Sequence, residues 1–288
     1  MNTANLSEPT HGRLQVAGIQ RAVLITLAAI CISASTTAAE DETDAKQRDD
    51  LKEFAKLQEL AWEEVFSDSG SEDWRTKWSL DGQNARVTNT DSGMDFFAGP
   101  EAFDDAHHAV LWTKPSFEGD LKIEYVFTRL DRETRMVNIL YIQATGSGKP
   151  GFERDISAWA DKRAIPAMKT YFKNMETYHV SYAAFGTNNK IIGSDYIRAR
   201  RYRSGSLAGT ELENEYAETG LFQTGVPHRI TVIKRDRDIF MHVENEAGEL
   251  LCHFENTRFP PITEGRIGLR HMYTRGARYR NFRVSELR

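Results

Sequence analysis

The sequence predicts an all-β protein, two packed antiparallel sheets or a barrel, with one helix near its start. Three observations carry this. Ten short stretches, among them LKIEYVFTRL, VNILYIQA and HRITVIKRD, alternate with period two and are rich in β-branched and aromatic residues. Clusters of Gly, Pro, Asn and Asp separate most of them. A sustained helical period occurs once, over residues 45–66.

The first 39 residues read as a secretory signal peptide. Arg13 and Arg21 precede the apolar run AVLITLAAICI, small residues follow in SASTTAA, and the acidic burst EDETD comes next. The apolar run is far shorter than the roughly 20 residues of a membrane span. Cleavage after Ala38 or Ala39 is expected, with a short uncut anchor as the alternative. The expected location is periplasmic or secreted, with no stable membrane span after cleavage. Cys31 would leave with the signal, and Cys252 would remain alone, so the core and not a disulfide must hold the fold.

Residues 40–69 form the acidic, helical segment of this reading. Leu51, Phe54, Ala55, Leu57, Leu60, Ala61 and Val65 recur at steps of three and four, as on the buried stripe of a helix packed outside the main domain. Residues 70–288 form the β-domain. RDRD (235–238) and ENEAGE (244–249) read as hairpin turns. The stretch 156–175 contains Pro166 and reads as a long loop with one or two helical turns, the kind of loop that rims a binding cleft.

Charge is distributed unevenly. Residues 40–110 hold 7 basic and 19 acidic side chains, and residues 191–288 hold 16 basic and 13 acidic. All but one of the latter basic residues are arginine, the planar partner of carboxylate, sulfate and phosphate. A formal net charge of −5 argues against a nucleic-acid partner and leaves an acidic polysaccharide as the better ligand class. The segment IRARRYR (197–203) concentrates this chemistry. As a strand it places Arg198, Arg200 and Tyr202 on one face, with Arg201 and Arg203 on the other. YHVSYAAF (178–185) separates Tyr178, Val180 and Tyr182 from His179 and Ser181 in the same way. A charged edge strand that only discourages sheet-to-sheet association is the competing reading of the arginines.

The ordered series EDWRTKW, AHHAVLW, GDLKIEYVFTRLD, YHVSYAAF, RRYRSG, EGRIGLRHM and ARYRNFRV resembles the YesU-like family, a domain of unknown function, over most of residues 70–288. The resemblance implies a concanavalin A-like jelly-roll β-sandwich and a setting of pectin or related polysaccharide use. His108, Trp112, His179, Ser181, Tyr182, Arg203 and Arg270 match the family pattern, whereas His271 departs from it. In such a fold a sugar chain would lie across a concave sheet.

Uronate polymers can be cut by β-elimination. A cation neutralises the carboxylate, a base removes the adjacent proton, and an acid protonates the leaving oxygen. The catalytic candidates are His179 or His108 as base and Tyr182 as acid. The substrate-binding candidates are Arg198, Arg200, Tyr202, Arg203 and Arg270, with Trp159 in the long loop as a sugar platform. His179 and Tyr182 fall on opposite faces of a flat strand, so only a bulge could bring them to one site. No cofactor is expected and no catalytic metal spacing occurs, while a structural calcium is left open. The alternatives are a glycoside hydrolase drawing its carboxylate pair from Glu211, Glu213 and Glu215, which sit in a stretch that reads as a loop, and a non-catalytic carbohydrate-binding protein. Glu124 is a further acid, on a strong strand and without an evident pair.

Overall fold

The structure, a computed structural model, describes residues 45–186 and 193–288. Residues 1–39, expected to be a signal peptide, and Cys31 within them lie outside the described residues. The two-sheet architecture expected from the strand pattern is present, and it is a jelly-roll sandwich.

One sheet runs in the order β14 (Gly248–Glu255), β13 (Asp238–Asn245), β12 (Pro227–Arg235), β7 (Leu121–Arg129), β16 (Gly276–Leu287), β4 (Gly93–Phe97) and β3 (Arg86–Thr90), with β1 (Trp62–Asp68) also paired to β16. The other runs β11 (Glu211–Ala217), β10 (Asp195–Arg203), β9 (Met175–Phe185), β8 (Met136–Gly146), β15 (Glu264–His271), β5 (Ala109–Thr113) and β2 (Trp78–Asp81), with β6 (Phe117–Glu118) beside β15. All the pairings are antiparallel. The two expected hairpin turns join β12 to β13 and β13 to β14.

Alternation decides what is buried. In β7, Leu121, Ile123, Tyr125 and Phe127 point into the sandwich, and the residues between them are half-exposed. In β8 and β9 nearly every residue is buried, which a sheet covered on both faces requires. The cover is a strap across the outer face of the second sheet: a kinked 3-10 segment Ile156–Arg163, then Pro166, then α2 (Met168–Asn174). Backbone bonds from Ser204 to Met175 and from Gly205 to Phe172 tie the far end of the strap to the end of β10.

Two expectations are corrected. The helix α1 spans residues 45–58 and does not reach 66. Residues 62–68 pair with the C-terminal strand as β1, because their burial alternates at its buried end (Phe66, Asp68) and the partner lies more than 200 positions away. The spacing of Leu60, Ala61 and Val65 imitates a helical stripe by coincidence. The ELENEY stretch is strand β11 and not a loop, since Arg198 and Arg200 of β10 stand directly opposite Glu215 and Glu211.

From Asp50 onward α1 packs Phe54 and Leu57 against Ile233, Phe240 and Leu251 of the first sheet. His253 stacks on Phe240 with ring centroids 4.2 Å apart. Its Nδ1 lies 2.8 Å from Asp50 and its Nε2 2.9 Å from Asp238. Burial opposes the imidazolium, but the bonds and charges of Asp238 and Asp50 outweigh it, and the pKa is raised. A raised folded-state pKa gives stability that is complete below the ordinary histidine value and lost as pH rises through the folded value. The melting temperature is therefore expected to fall across that interval. His253→Gln should flatten that part of the profile, and an unchanged profile would remove His253 from the docking of α1.

Candidate functional site

Register places two rows of side chains on the strap-covered face. The first runs Arg198, Ser181, Ile139, Arg270, Val110 and Asp81 across six strands. The second runs Arg200, His179, Tyr141, Gly268 and Trp112. Gly268 is required here: a Cβ would stand 2.4 Å from the Trp112 ring.

Asp81 anchors the strap. Its Oδ2 accepts from Trp112 Nε1 at 2.7 Å, Arg163 Nε at 2.6 Å and Tyr171 OH at 2.8 Å, all buried. Arg163 and Tyr171 lie on either side of Pro166, so one carboxylate pins both ends of that corner. Trp112, Tyr141 and Tyr171 stack nearly parallel, with Tyr141 and Tyr171 centroids 5.9 Å apart and planes 3° from parallel. Burial first, then the Asp81 charge, push the Tyr171 pKa well above its ordinary value, so its phenol stays a donor.

Arg270 sits against this stack, its guanidinium carbon 4.6 Å from the Tyr171 ring centre. It is fully buried. Nη2 donates to His108 Nδ1 and to the Pro166 carbonyl, while Nε and Nη1 have no hydrogen-bond partner among the described residues. Neither partner is a carboxylate. Burial, then the Arg270 charge, push the His108 pKa down to about 2, so its ring is the neutral acceptor that Arg270 requires. The Tyr141 hydroxyl lies beside Arg270 without a well-formed bond; burial raises its pKa, and the charge of Arg270 and a loose hydrogen bond to it temper the rise.

Beside these groups His179 Nδ1 lies 2.6 Å from Tyr202 OH and Nε2 lies 2.8 Å from Ser181 Oγ. Burial, then the charges of Arg200, Arg198 and Arg270, hold His179 well below its ordinary pKa. Burial raises Tyr202 well above its own. The pair is thus a neutral imidazole against a neutral phenol.

The structure brings His108, His179, Tyr202, Arg198, Arg200 and Arg270 to one face. Arg198 and Arg200, however, are paired with Glu215 and Glu211 of β11. Tyr182 points the other way, into the sandwich core, 3.2 Å from Tyr279 OH, which His271 also contacts at 2.8 Å. The bulge that could have turned Tyr182 toward His179 falls one residue later, at Ala183, whose φ is +43°. Arg203 lies exposed over the Phe259 ring. Trp159 is buried, donating to the Glu153 carbonyl at 3.0 Å beneath Arg163, and offers no open face to a sugar. Of the acids weighed for hydrolysis, Glu211 and Glu215 are held by arginines. Glu124 pairs with Lys122 on the other sheet.

Asp81, Tyr141, Arg163 and Tyr171 were not singled out by the sequence. Asp81 precedes a glycine and reads as a turn residue, and Tyr141 reads as ordinary strand core. Only Arg163, charged beside a proline-broken apolar stretch, carried a signal that could have marked it.

Two groups of ligand-type side chains also converge, Glu101–Asp104–His107 and His242–Glu244–Glu249. His107 Nδ1 accepts the Glu101 backbone N–H at 3.1 Å, which leaves Nε2 protonated toward the carboxylates. That makes it a donor and not a metal ligand. In the second group His242 bonds Glu249 and Glu244 pairs with Arg229.

No protein-family model and no curated protein sequence matches the chain. Solved structures do. A Bacillus subtilis protein of unknown function with a galectin-like fold aligns at TM-score 0.61 and 18% identity, over 79% of this chain and 100% of that one. A legume lectin-like domain from Entamoeba histolytica aligns at TM-score 0.51 and 8% identity, over 78% and 98%. The VIP36 exoplasmic/lumenal domain, in its Ca2+/Man3GlcNAc-bound form, aligns at TM-score 0.50 and 12% identity, over 79% and 90%. The fold is therefore a lectin-like jelly roll of the concanavalin A-like class. No helix among the described residues is long and apolar enough to cross a membrane.

Asp81→Ala removes the single acceptor of three buried donors. It is expected to lower stability by about 3–5 kcal/mol, measured by urea unfolding. Limited proteolysis should then cut within residues 156–174 before the sheets. Loss of stability without new cleavage there would mean that Asp81 does not hold the strap.

Proposed function

We propose that this is an exported carbohydrate-active protein whose ligand is an acidic, uronate-containing saccharide bound on the strap-covered face. Membership of the YesU-like family belongs to the same proposal, supported by the ordered motifs. The observation that carries it is Arg270. A buried guanidinium without a carboxylate, whose Nε and Nη1 have no well-formed partner and only the Tyr141 hydroxyl nearby, is an unfavourable arrangement that a ligand carboxylate would relieve. The Man3GlcNAc bound by the VIP36 domain supports a saccharide ligand, and its acidic character rests on Arg270 alone.

Catalysis, if the site performs it, is β-elimination. Arg270 would hold the C6 carboxylate and stabilise the charge that develops when the C5 proton leaves. His179 takes that proton at Nε2, in place of the hydrogen bond from Ser181 Oγ, while Nδ1–H stays on the Tyr202 oxygen; the C4–O bond breaks as the C4=C5 bond forms, and the Tyr202 phenol protonates the departing oxygen. The hydrogen bond between the two then returns the proton from His179 to Tyr202. Tyr202 replaces Tyr182 in this scheme because it, and not Tyr182, touches His179. One observation favours binding alone: three arginine charges add to burial in making His179 a weak base. A bound carboxylate would offset those charges. The hydrolytic reading has no free carboxylate pair on this face among the described residues to support it.

Uronate oligosaccharides are expected to raise the melting temperature, and Arg270→Met to remove that shift. Turnover would appear as the ultraviolet absorbance of the conjugated enoate. His179→Asn should reduce it about 10²–10⁴-fold while binding persists. Binding with no absorbance change would leave a binding protein, and new reducing ends without absorbance would restore hydrolysis.

A further inference from the structure

We infer that the outer face of the first sheet carries a second saccharide site, separate from the strap-covered face and independent of Arg270, which takes a short acidic saccharide through Arg280. A cavity of about 520 Å³ opens there, within the size range of small-ligand sites. Strand register builds its floor. Arg280, Val126, Arg229 and Glu244 stand in one row across β16, β7, β12 and β13. All four point outward, because their neighbours Tyr279, Phe127, Ile230 and Val243 are buried in the sandwich core. Val126 is the short side chain of the row, and Val226 and Pro227 extend its apolar surface. The helix α1 packs on this sheet at Ile233, Phe240 and Leu251, none of which lines the cavity. Arg229, Glu246 and Arg280, which do line it, are exposed.

The walls are set before a ligand arrives. One is the loop leading into β12 and the other is the turn between β13 and β14, and the fully buried His228 joins them. Its Nδ1 donates to the Val226 carbonyl at 2.9 Å. Its Nε2 accepts from the Phe222 backbone N–H and from Asn245 Nδ2, each at 2.9 Å. Such walls need little ordering on binding. The charges name the ligand. Arg229 is paired with Glu244 at 3.3 Å, whereas Arg280 has no ion-pair or side-chain hydrogen-bond partner among the described residues. Its guanidinium fork suits a carboxylate. The valine and proline surface suits the C–H face of a sugar ring, and the Glu246 carboxylate accepts hydroxyls from the turn. Arg280 and Glu244 lie three strand spacings apart, roughly 14 Å between their backbones, so the cavity spans two linked rings with the acidic one over Arg280. Arg283 supplies a control. A bulge at Asn281, whose φ is +52°, adds one residue between the register positions of Arg280 and Arg283 and turns both outward. Arg283 is likewise exposed and without an acid among the described residues, but it does not line the cavity.

The test titrates digalacturonate, diguluronate and cellobiouronic acid calorimetrically, each beside its carboxyl-reduced neutral form, against the protein and its Arg280→Ala, Arg283→Ala and Arg270→Met variants. At least one acidic disaccharide should bind, and its neutral form at least about tenfold more weakly. Arg280→Ala, at an exposed position where folding is not at stake, should remove a binding step that Arg283→Ala leaves within about twofold. An equal loss in Arg283→Ala would mean diffuse attraction to positive charge and would overturn the cavity site. Full binding by Arg280→Ala would also overturn it, and would leave the strap-covered site standing. Two binding steps, one lost with Arg280 and the other with Arg270, would support both sites. A single step lost in Arg280→Ala and kept in a folded Arg270→Met protein would support this site and remove the other. Silence toward every acidic disaccharide would overturn this site.

Discussion

The three hydrogen bonds onto Asp81 Oδ2 are the constraint on which the outer half of the molecule depends. A jelly-roll sheet ordinarily has one face in the core and one in water. Here the second face is covered by a strap. Against the sheet it buries Ile156, Trp159 and Tyr171, with Met168 and Phe172 partly buried beside them, and such apolar contacts are non-directional. A buried carboxylate satisfied by an indole, a guanidinium and a phenol supplies the directional part. With the strap in place, polar groups that an open groove would leave wet become buried. This makes their hydrogen-bond partners a matter of consequence.

The arginines divide accordingly. Arg163, Arg198 and Arg200 each pair with an acid of the protein itself. Arg275, buried in the sandwich near Phe185, has Asp131. Arg270 is served by an imidazole and a carbonyl instead. Its positive charge reaches His108, His179, Tyr141 and Tyr202, and it shapes the protonation of each. Two neutral histidines and protonated tyrosines thus surround one buried cation that has no carboxylate partner among the described residues.

Much of this was legible beforehand for local reasons. Strand alternation separated His179 from Tyr182 and grouped Arg198, Arg200 and Tyr202, because side-chain direction in a strand is fixed by position alone. The proline-broken stretch 156–175 was recognisable as a long structured loop over the β-scaffold. What failed depended on partners far along the chain. Residues 62–68 became a strand because the last strand offered them an edge, and ELENEY became one because arginines stood opposite. The loop position of Trp159 suggests an exposed platform, but the strap folds inward and buries it.

The sequence by itself determined the β-sandwich, its N-terminal helix, and which residues share a face, since these follow from periodicity and turn chemistry acting over a few residues. Only the tertiary structure decided that Asp81 meets Trp112, Arg163 and Tyr171, that β11 supplies acids to two arginines, and that Arg270 has none among the described residues. Charge compensation is a property of distance in space, and residues 31 to 90 positions from Asp81 come within 3 Å of it only when the sheets and strap are packed.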